Sequence, residues 1–382
     1  MKILLINNFN SENRIGGVEH YLHELMQYAV NSNSTLVFKW FGKAKIKTSW
    51  IEKFYHKKTT QEIIQEIERF KPDVIHCFSI GAPITPHFLK YAKSKGIPVV
   101  YSFRDYYYIC PKNYMLTDKN EVITEHNSAF ECILHHQPKR AILYDALLYF
   151  KQSYHKKIIK KNIDYFLTPS KNLTDFIASY FQKNGQTLSN PILIENNMLS
   201  KSEGNYILFV GRIVPEKGVQ TLIKAFANIL EEFPNEKLQI VGEGFELATL
   251  QDFVKTKKLN SVTFLGNKNR EELKEIYAES KFTIVPSEYL EAYGNVILES
   301  LSFGKTVITS DLVGLKDEIV QNGVGLTYPF QDQKQLEKHI TNLLSNSELK
   351  KELENNIPKY LATKTFEKHY SDLVAVYEKL LA

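Results

Sequence analysis

Cysteine is scarce in this chain of 382 residues: Cys77, Cys110 and Cys132 are the whole set, and no two form a Cys-x-x-Cys pair. A sparse, odd count excludes a disulfide scaffold and points to free thiols in a reducing compartment. Long apolar runs are missing too; none approaches the roughly 18 residues of a membrane span. Met1-Lys2 leads into the short apolar run Ile3–Ile6, which reads as a first strand and not as a secretory leader. The three spaced glycines of a dinucleotide-binding fingerprint are absent. So is a strong charge of one sign. The formal net charge is +5, with Lys far outnumbering Arg. That suits anionic substrates or a membrane face and does not demand nucleic acid.

What is present is length and alternation. A chain of 382 residues outgrows a single core, so two domains are expected. Ile3–Ile6 precedes a polar loop of Asn7, Asn8, Asn10 and Ser11, then Gly16-Gly17, then helical periodicity over Val18–Ala29. Strand, glycine-containing loop and helix start is a recipe for holding an anion on backbone N–H groups, although a Gly-Gly pair is also simply a turn. Strands are expected at Thr35–Phe38, Val74–Cys77, Ile97–Ser102 and Tyr165–Thr168, with helices between them near Ile63–Phe70 and Ile84–Ala92. Regular βα alternation is the pattern of a parallel sheet covered by helices.

Four stretches of the first half invite two readings each. Lys43, Lys45 and Lys47 stand beside Trp40, Phe41, Trp50, Phe54 and Tyr55; a solvated loop is the favoured reading, an acceptor- or lipid-facing rim the alternative. Arg104 and Asp105 follow a buried strand directly, where they either pair with each other or meet a substrate. Cys110, Cys132, His135 and His136 match no structural zinc spacing, and the insertion 112–137 is expected to be an acceptor-side flap. Pro138–Lys161 repeats Ile142, Leu143, Ala146, Leu147 and Phe150 at helical spacing among seven Lys and Arg. It is either a core-packed helix with a basic outer face or a helix lying on an anionic bilayer or lipid-linked acceptor, with Asp145 toward the acceptor.

The second half carries the chemistry. Strand Tyr206–Val210 runs into Gly211, Arg212, Pro215, Glu216, Lys217 and Gly218 before the helix Val219–Leu230. Two cations and glycines at a strand-to-helix junction make an anion cradle. Strand Leu238–Val241 exits through Gly242-Glu243-Gly244, a loop that can approach a base or ribose. Phe282–Val285 exits into Glu288, Glu291, Tyr293, Gly294 and Asn295, and a helix carrying Glu299 follows, ended by Gly304. Ligands of open α/β sheets bind at the carboxyl ends of strands, so Glu291 and Glu299 stand where chemistry is expected.

These motifs resemble the retaining, nucleotide-sugar-dependent glycosyltransferases of GT-B type, family 4. Glu291-Ala-Tyr-Gly294 with Glu299, Gly304 and Lys305 corresponds to the family's Glu-x7-Glu segment. Gly211–Gly218, Gly314, Glu318–Val320 and Asn322-Gly323 continue the match, and Asn190-Pro191-Ile192 is similar to a turn near the end of its first domain. The resemblance implies two Rossmann-like domains whose parallel sheets face across a cleft. Residues 1–195 would form the acceptor-side domain, 203–365 the donor domain, and 366–382 a helix crossing back. It implies transfer from a UDP- or GDP-linked sugar to a glycan or lipid-linked acceptor, in the cytoplasm or on the inner membrane face. It implies catalytic roles for Arg212, Lys217, Glu291 and Asp105, and donor contacts from Gly16, Gly17, Gly211, Glu243, Tyr293, Gly294, Asn295 and Glu299. Arg104 and Asp145 fall on the acceptor side. No cofactor is implied, and no metal is expected, since Asp-x-Asp is absent and basic side chains can replace one. Arg104 departs from the pattern, standing where the family commonly has a histidine. An arginine cannot move a proton at neutral pH. A decayed, non-catalytic sugar-nucleotide or glycan binder is the alternative.

Overall fold

The computed structural model describes residues 1–9, 17–32, 34–43, 47–110, 112, 113, 115–117, 119, 121–123, 133–135, 141–192 and 204–382. Gly16, Lys45, Cys132, His136, and most of the expected flap and linker lie outside that set. The chain divides into two compact units. One is Met1–Ser189 with His369–Ala382; the other is Asn190–Lys368.

In the first unit, β1 (Lys2–Phe9), β2 (Val37–Lys43), β3 (Val74–Cys77), β4 (Val99–Ser102), β5 (Tyr165–Thr168) and β6 (Gly185–Thr187) form one parallel sheet in the order β2-β1-β3-β4-β5-β6. The four central strands are largely buried and mostly apolar because helices cover both faces, as parallel sheets require, and their few polar members, such as Asn7, His76, Ser102 and Thr168, are buried too. Those helices are α1 (Gly17–Asn31), α2 (Trp50–Phe54), α3 (Lys57–Phe70), α4 (Phe88–Ser94), α5 (Ile142–Asn162) and α6 (Lys171–Phe181). Ser170 caps α6, its side chain accepting the Leu173 N–H. Trp40, Phe41 and Lys43 belong to β2 and not to a loop, because they extend its pairing with β1 up to Phe9. The helix expected from Ile84 begins only at Phe88; Pro86 disfavours helical geometry in the residue before it, Thr85. Strand β6 has no apolar alternation to announce it and rests on its pairing with β5.

The second unit repeats the architecture with β7 (Tyr206–Val210), β8 (Leu238–Val241), β9 (Val262–Gly266), β10 (Ser280–Val285), β11 (Val307–Ser310) and β12 (Gly325–Tyr328), in the order β12-β11-β10-β7-β8-β9. The helices are α7 (Val219–Ile229), α8 (Leu247–Thr256), α9 (Arg270–Ala278), α10 (Asn295–Ser302), α11 (Lys316–Gln321), α12 (Gln333–Ser345) and α13 (Ser347–Leu361). Its main core joins Ile207, Phe209, Ile240, Phe282 and Ile284 of the sheet to Leu222, Phe226, Leu336 and Ile340 of the helices, all fully or nearly fully buried. Each such side chain contributes about 1.5–3 kcal/mol by leaving water. Strand order reverses between β7 and β10. That switch point is where two βα loops diverge and leave a crevice.

The last helix, α14 (Phe366–Leu381), starts in the second unit and from His369 onward belongs to the first. There Tyr377 hydrogen-bonds His76 of β3, 2.6 Å from its Nδ1.

Candidate functional site

The exits of β7 and β10 meet at the switch point of the second unit. Pro215–Lys217 makes one 3-10 turn, closed by Gly218 in left-handed conformation at φ +67°. A Cβ on Gly218 would stand 2.0 Å from the Pro286 carbonyl oxygen, so only glycine lets the two exits touch. The Glu288 N–H donates to the Glu216 carbonyl at 2.8 Å and ties them together. The β8 exit joins through Ile213, whose N–H reaches the Glu243 carbonyl at 2.8 Å. The Glu243 side chain is exposed.

Lys217 and Glu291 come from these two exits and form an ion pair. Lys217 Nζ lies 2.9 Å from Glu291 Oε1, with each side chain 16 % exposed. Ser287 Oγ donates to the other carboxylate oxygen at 2.6 Å. The Tyr289 ring lies 5.1 Å from the ammonium. Burial pulls the lysine pKa down, but Glu291 and Tyr289 outweigh it and raise the pKa above lysine's usual value. The ammonium therefore keeps its charge across the physiological range. Burial also pushes the Tyr289 phenol up to about 12, with Glu291 adding to the rise. Glu291 is fixed from a third side, since its N–H donates to the Leu312 carbonyl beyond β11 at 2.9 Å.

Arg212 is arranged differently. Its guanidinium is 67 % exposed and only 3.6 Å from the buried Glu216 carboxylate. It projects into solvent on a short leash, a fork turned outward. Helix α10 opens after Gly294, at φ +106°, and its first-turn N–H groups carry partial positive charge. Asn190 Nδ2 donates to Asn295 Oδ1 at 2.9 Å, and the Tyr293 hydroxyl donates to the Asn190 carbonyl at 3.1 Å. One turn along α10, Glu299 accepts a 2.8 Å hydrogen bond from the buried Tyr277 hydroxyl, whose ring stacks on Phe303 with planes 9° apart. The sequence showed Arg212, Lys217, Glu291 and Glu299. It did not distinguish Ser287, Tyr289 or Tyr277 from loop and core residues, because only the fold brings them to those carboxylates.

In the first unit, Arg104 and Asp105 leave β4 in different environments. Arg104 lies over the Tyr21 ring at 4.7 Å, with Phe78 at 5.8 Å, and hydrogen-bonds the Tyr21 oxygen. The Tyr21 hydroxyl is 2.7 Å from His369 Nε2, and His369 Nδ1 is 2.8 Å from the Ser189 carbonyl. A carbonyl only accepts, so Nδ1 carries the proton and Nε2 accepts from Tyr21. Burial, opposed by that carbonyl bond and aided by the Arg104 charge, holds His369 down at about 3. Burial and then Arg104 likewise keep His76 well below the usual histidine range. Asp105 accepts the Tyr107 N–H at 3.0 Å, yet burial raises its carboxyl above the ordinary aspartate value. Asp145 is engaged inside the unit. It pairs with Lys112 at 2.9 Å, both side chains 2 % exposed, so its carboxylate does not open toward an acceptor. Gly17 is the first residue of α1.

Residues 193–360 match the family model described as glycosyl transferases group 1. An uncharacterized glycosyltransferase of Methanocaldococcus jannaschii is 28 % identical over 232 residues, which is 60 % of this chain and 64 % of that protein. Spore coat protein SA of Bacillus subtilis is 28 % identical over 45 % of this chain and 48 % of its own. The alignments thus span less than two thirds of these relatives' lengths. Among solved structures, the sucrose-phosphate synthase of Thermosynechococcus elongatus superposes with a TM-score of 0.73 at 17 % identity, covering 99 % of this chain and 98 % of that one. The HepE protein of Anabaena, solved in complex with UDP, superposes with a TM-score of 0.69 at 16 % identity, over 99 % and 100 %. The likeness over the whole chain establishes the two-domain GT-B fold.

Proposed function

We propose that this chain, whose residues 193–360 match the glycosyl transferases group 1 model, transfers a sugar from a nucleoside-diphosphate donor to an acceptor hydroxyl with retention of configuration. The observation that carries the proposal is the Lys217–Glu291–Ser287 constellation at the β7/β10 switch point, with the Arg212 fork beside it. Two of the three Lys217 N–H bonds are directed at Glu291 and Tyr289, and the third serves a phosphate oxygen. Arg212 takes the diphosphate from the solvent side. As the bond from the anomeric carbon to the phosphate oxygen breaks, negative charge grows on the diphosphate, and these fixed cations lower that barrier. The acceptor oxygen bonds the anomeric carbon from the same face, and its proton passes to the departing phosphate.

Glu291 orients the sugar. Both of its oxygens are already held by hydrogen-bond donors, which makes it a poor nucleophile and a rigid acceptor for sugar hydroxyls. A retaining hydrolase would instead need a free carboxylate facing the anomeric carbon. Glu299, braced by Tyr277, takes the ribose hydroxyls. On the first unit, Arg104 and Asp105 face the acceptor, a glycan or lipid-linked sugar. UDP and GDP are the expected bases, cell-surface polysaccharide the expected product, and the cytoplasmic face of the membrane the expected location. No helix among the described residues is long and apolar enough to cross a membrane. The HepE complex with UDP supports a nucleoside-diphosphate donor.

A panel of UDP- and GDP-sugars, with and without free or lipid-linked glycan acceptors, tests this. Released nucleotide reports turnover, and proton NMR coupling at the new linkage reports configuration. Binding without turnover in every combination would leave a sugar-nucleotide-binding protein. An inverted product would overturn the retaining mechanism.

A further inference from the structure

Helix α5 carries its polarity inside out. The positions it buries include Asp145, Lys151, Gln152, His155 and Asn162. Each of the charged or ring members has an interior partner. Asp145 pairs with Lys112 at 2.9 Å, Lys151 Nζ donates to the Tyr107 hydroxyl at 2.6 Å, and His155 Nε2 meets the Phe54 carbonyl at 2.9 Å. The outward face carries Leu143 at 73 % exposure and Phe150 at 62 %. With Leu147 and Tyr154 these recur at steps of four, three and four residues, so they form one stripe. The same stripe continues into Lys157 and Lys161, both exposed.

Helix α2 lies alongside and widens the face. The Trp50 ring meets Tyr144 edge-on at 5.4 Å, and Phe54 approaches Tyr154 at 6.3 Å. Ile51 projects outward at 82 % exposure, and Lys53 caps the Trp50 ring at 4.4 Å. Single exposed apolar residues are ordinary. A contiguous set on a helix that buries its charges marks a contact surface.

We propose that this face of α2 and α5 rests on an anionic lipid surface. Ile51, Leu143 and Phe150 enter the headgroup boundary, and Lys53, Lys157 and Lys161 meet lipid phosphates. Charge decides the occupant. The charged side chains of the α5 stripe are both lysines, and they continue the apolar residues along one line instead of ringing them; on α2 the exposed Glu52 beside Ile51 accepts from the Ser49 N–H and hydroxyl. Apolar insertion flanked by cations fits a negatively charged interface. The surface deepens the membrane-face part of the proposed function and does not depend on sugar transfer.

Sedimentation of the full chain with vesicles tests it. The chain is expected to pellet with phosphatidylglycerol-containing vesicles, to stay in solution with pure phosphatidylcholine, and to be released by salt. Leu143→Glu with Phe150→Glu should lower the bound fraction about tenfold, at unchanged circular dichroism. Leu143→Ser with Phe150→Ser serves as the check should the charged pair misfold. Lys157→Glu with Lys161→Glu should move release to lower salt. Equal binding by all variants, or no binding of the parent chain to either vesicle, would overturn the proposal. So would a concentration-dependent dimer that the same variants abolish, since that would assign the face to a second copy. Release of nucleotide from a soluble donor should be the same in the parent and the apolar variants. If it is absent in all of them while vesicle binding behaves as expected, the transfer reading fails and the surface stands.

Discussion

The β7/β10 exits of the second unit and the β4 exit of the first offer two ways to present a cation. Lys217 is held by an ion pair, a tyrosine and backbone ties between two loops. Arg104 is held on an aromatic ring backed by a neutral histidine from the terminal helix. The first arrangement places opposite charges together at the bottom of a switch point. It is suited to a group whose charge changes during a reaction. The second sets a positive charge on an aromatic face and keeps nearby histidines unprotonated. It is suited to hold a ready-made anion or orient a hydroxyl, and not to exchange protons.

The largest expected effects probe the second unit. Arg212→Ala and Lys217→Ala should each slow transfer by roughly 100-fold or more, the scale of one lost transition-state donor. Stability should separate them. Lys217→Ala strands a largely buried Glu291 and should cost about 1–3 kcal/mol in denaturant melts. Arg212→Ala, mostly in solvent, should cost nearly nothing. Near-parental turnover in both would remove the phosphate grip.

Arg104→Ala probes the first unit. It should abolish acceptor-dependent transfer while leaving donor affinity unchanged, and Arg104→His should restore part of the rate. Kinetics with varied acceptor decide it. An unchanged acceptor dependence would reduce Arg104 to a packing residue on Tyr21.

Between the carboxylates the effect is smaller. Glu299→Ala should weaken nucleoside-diphosphate binding, and Tyr277→Phe should weaken it by about 1 kcal/mol, or roughly fivefold, by unbracing Glu299. Glu291→Ala should instead harm sugar recognition and turnover. Calorimetry on the Tyr277→Phe, Glu299→Ala double variant should show non-additive losses; simple addition would mean Tyr277 acts independently of Glu299.

The smallest effect is a pH dependence at Asp105. Burial raises its folded pKa, so the folded state favours the protonated acid. Its stabilising contribution is fully present below the ordinary aspartate value and is lost as pH rises through the raised one. Asp105→Asn should therefore be more stable than the parent at neutral pH, and the gap should close on acidification. A gap independent of pH would assign the difference to packing.

Much of the candidate site was legible in the sequence because its residues follow strands directly. The run Gly211–Gly218 and the pair Glu291 and Glu299 are local patterns, and the open α/β rule places local patterns at strand exits. Apolar strand segments and their alternation with helices likewise determined two parallel sheets, since strands buried on both faces are mostly apolar. Only the tertiary structure decided which exits meet. Gly218 is ordinary in sequence and becomes obligatory because Pro286, far along the chain, approaches it. Ser287, Tyr289, Tyr277, Tyr21 and His369 took their places in the same manner. So did the inversion of α5, whose helical period the sequence showed but whose inward face it left open between two readings; the interior offered Lys112 and Tyr107 as partners for its charges. Periodicity states that a helix has two faces. Which face is buried depends on what the rest of the chain brings to it.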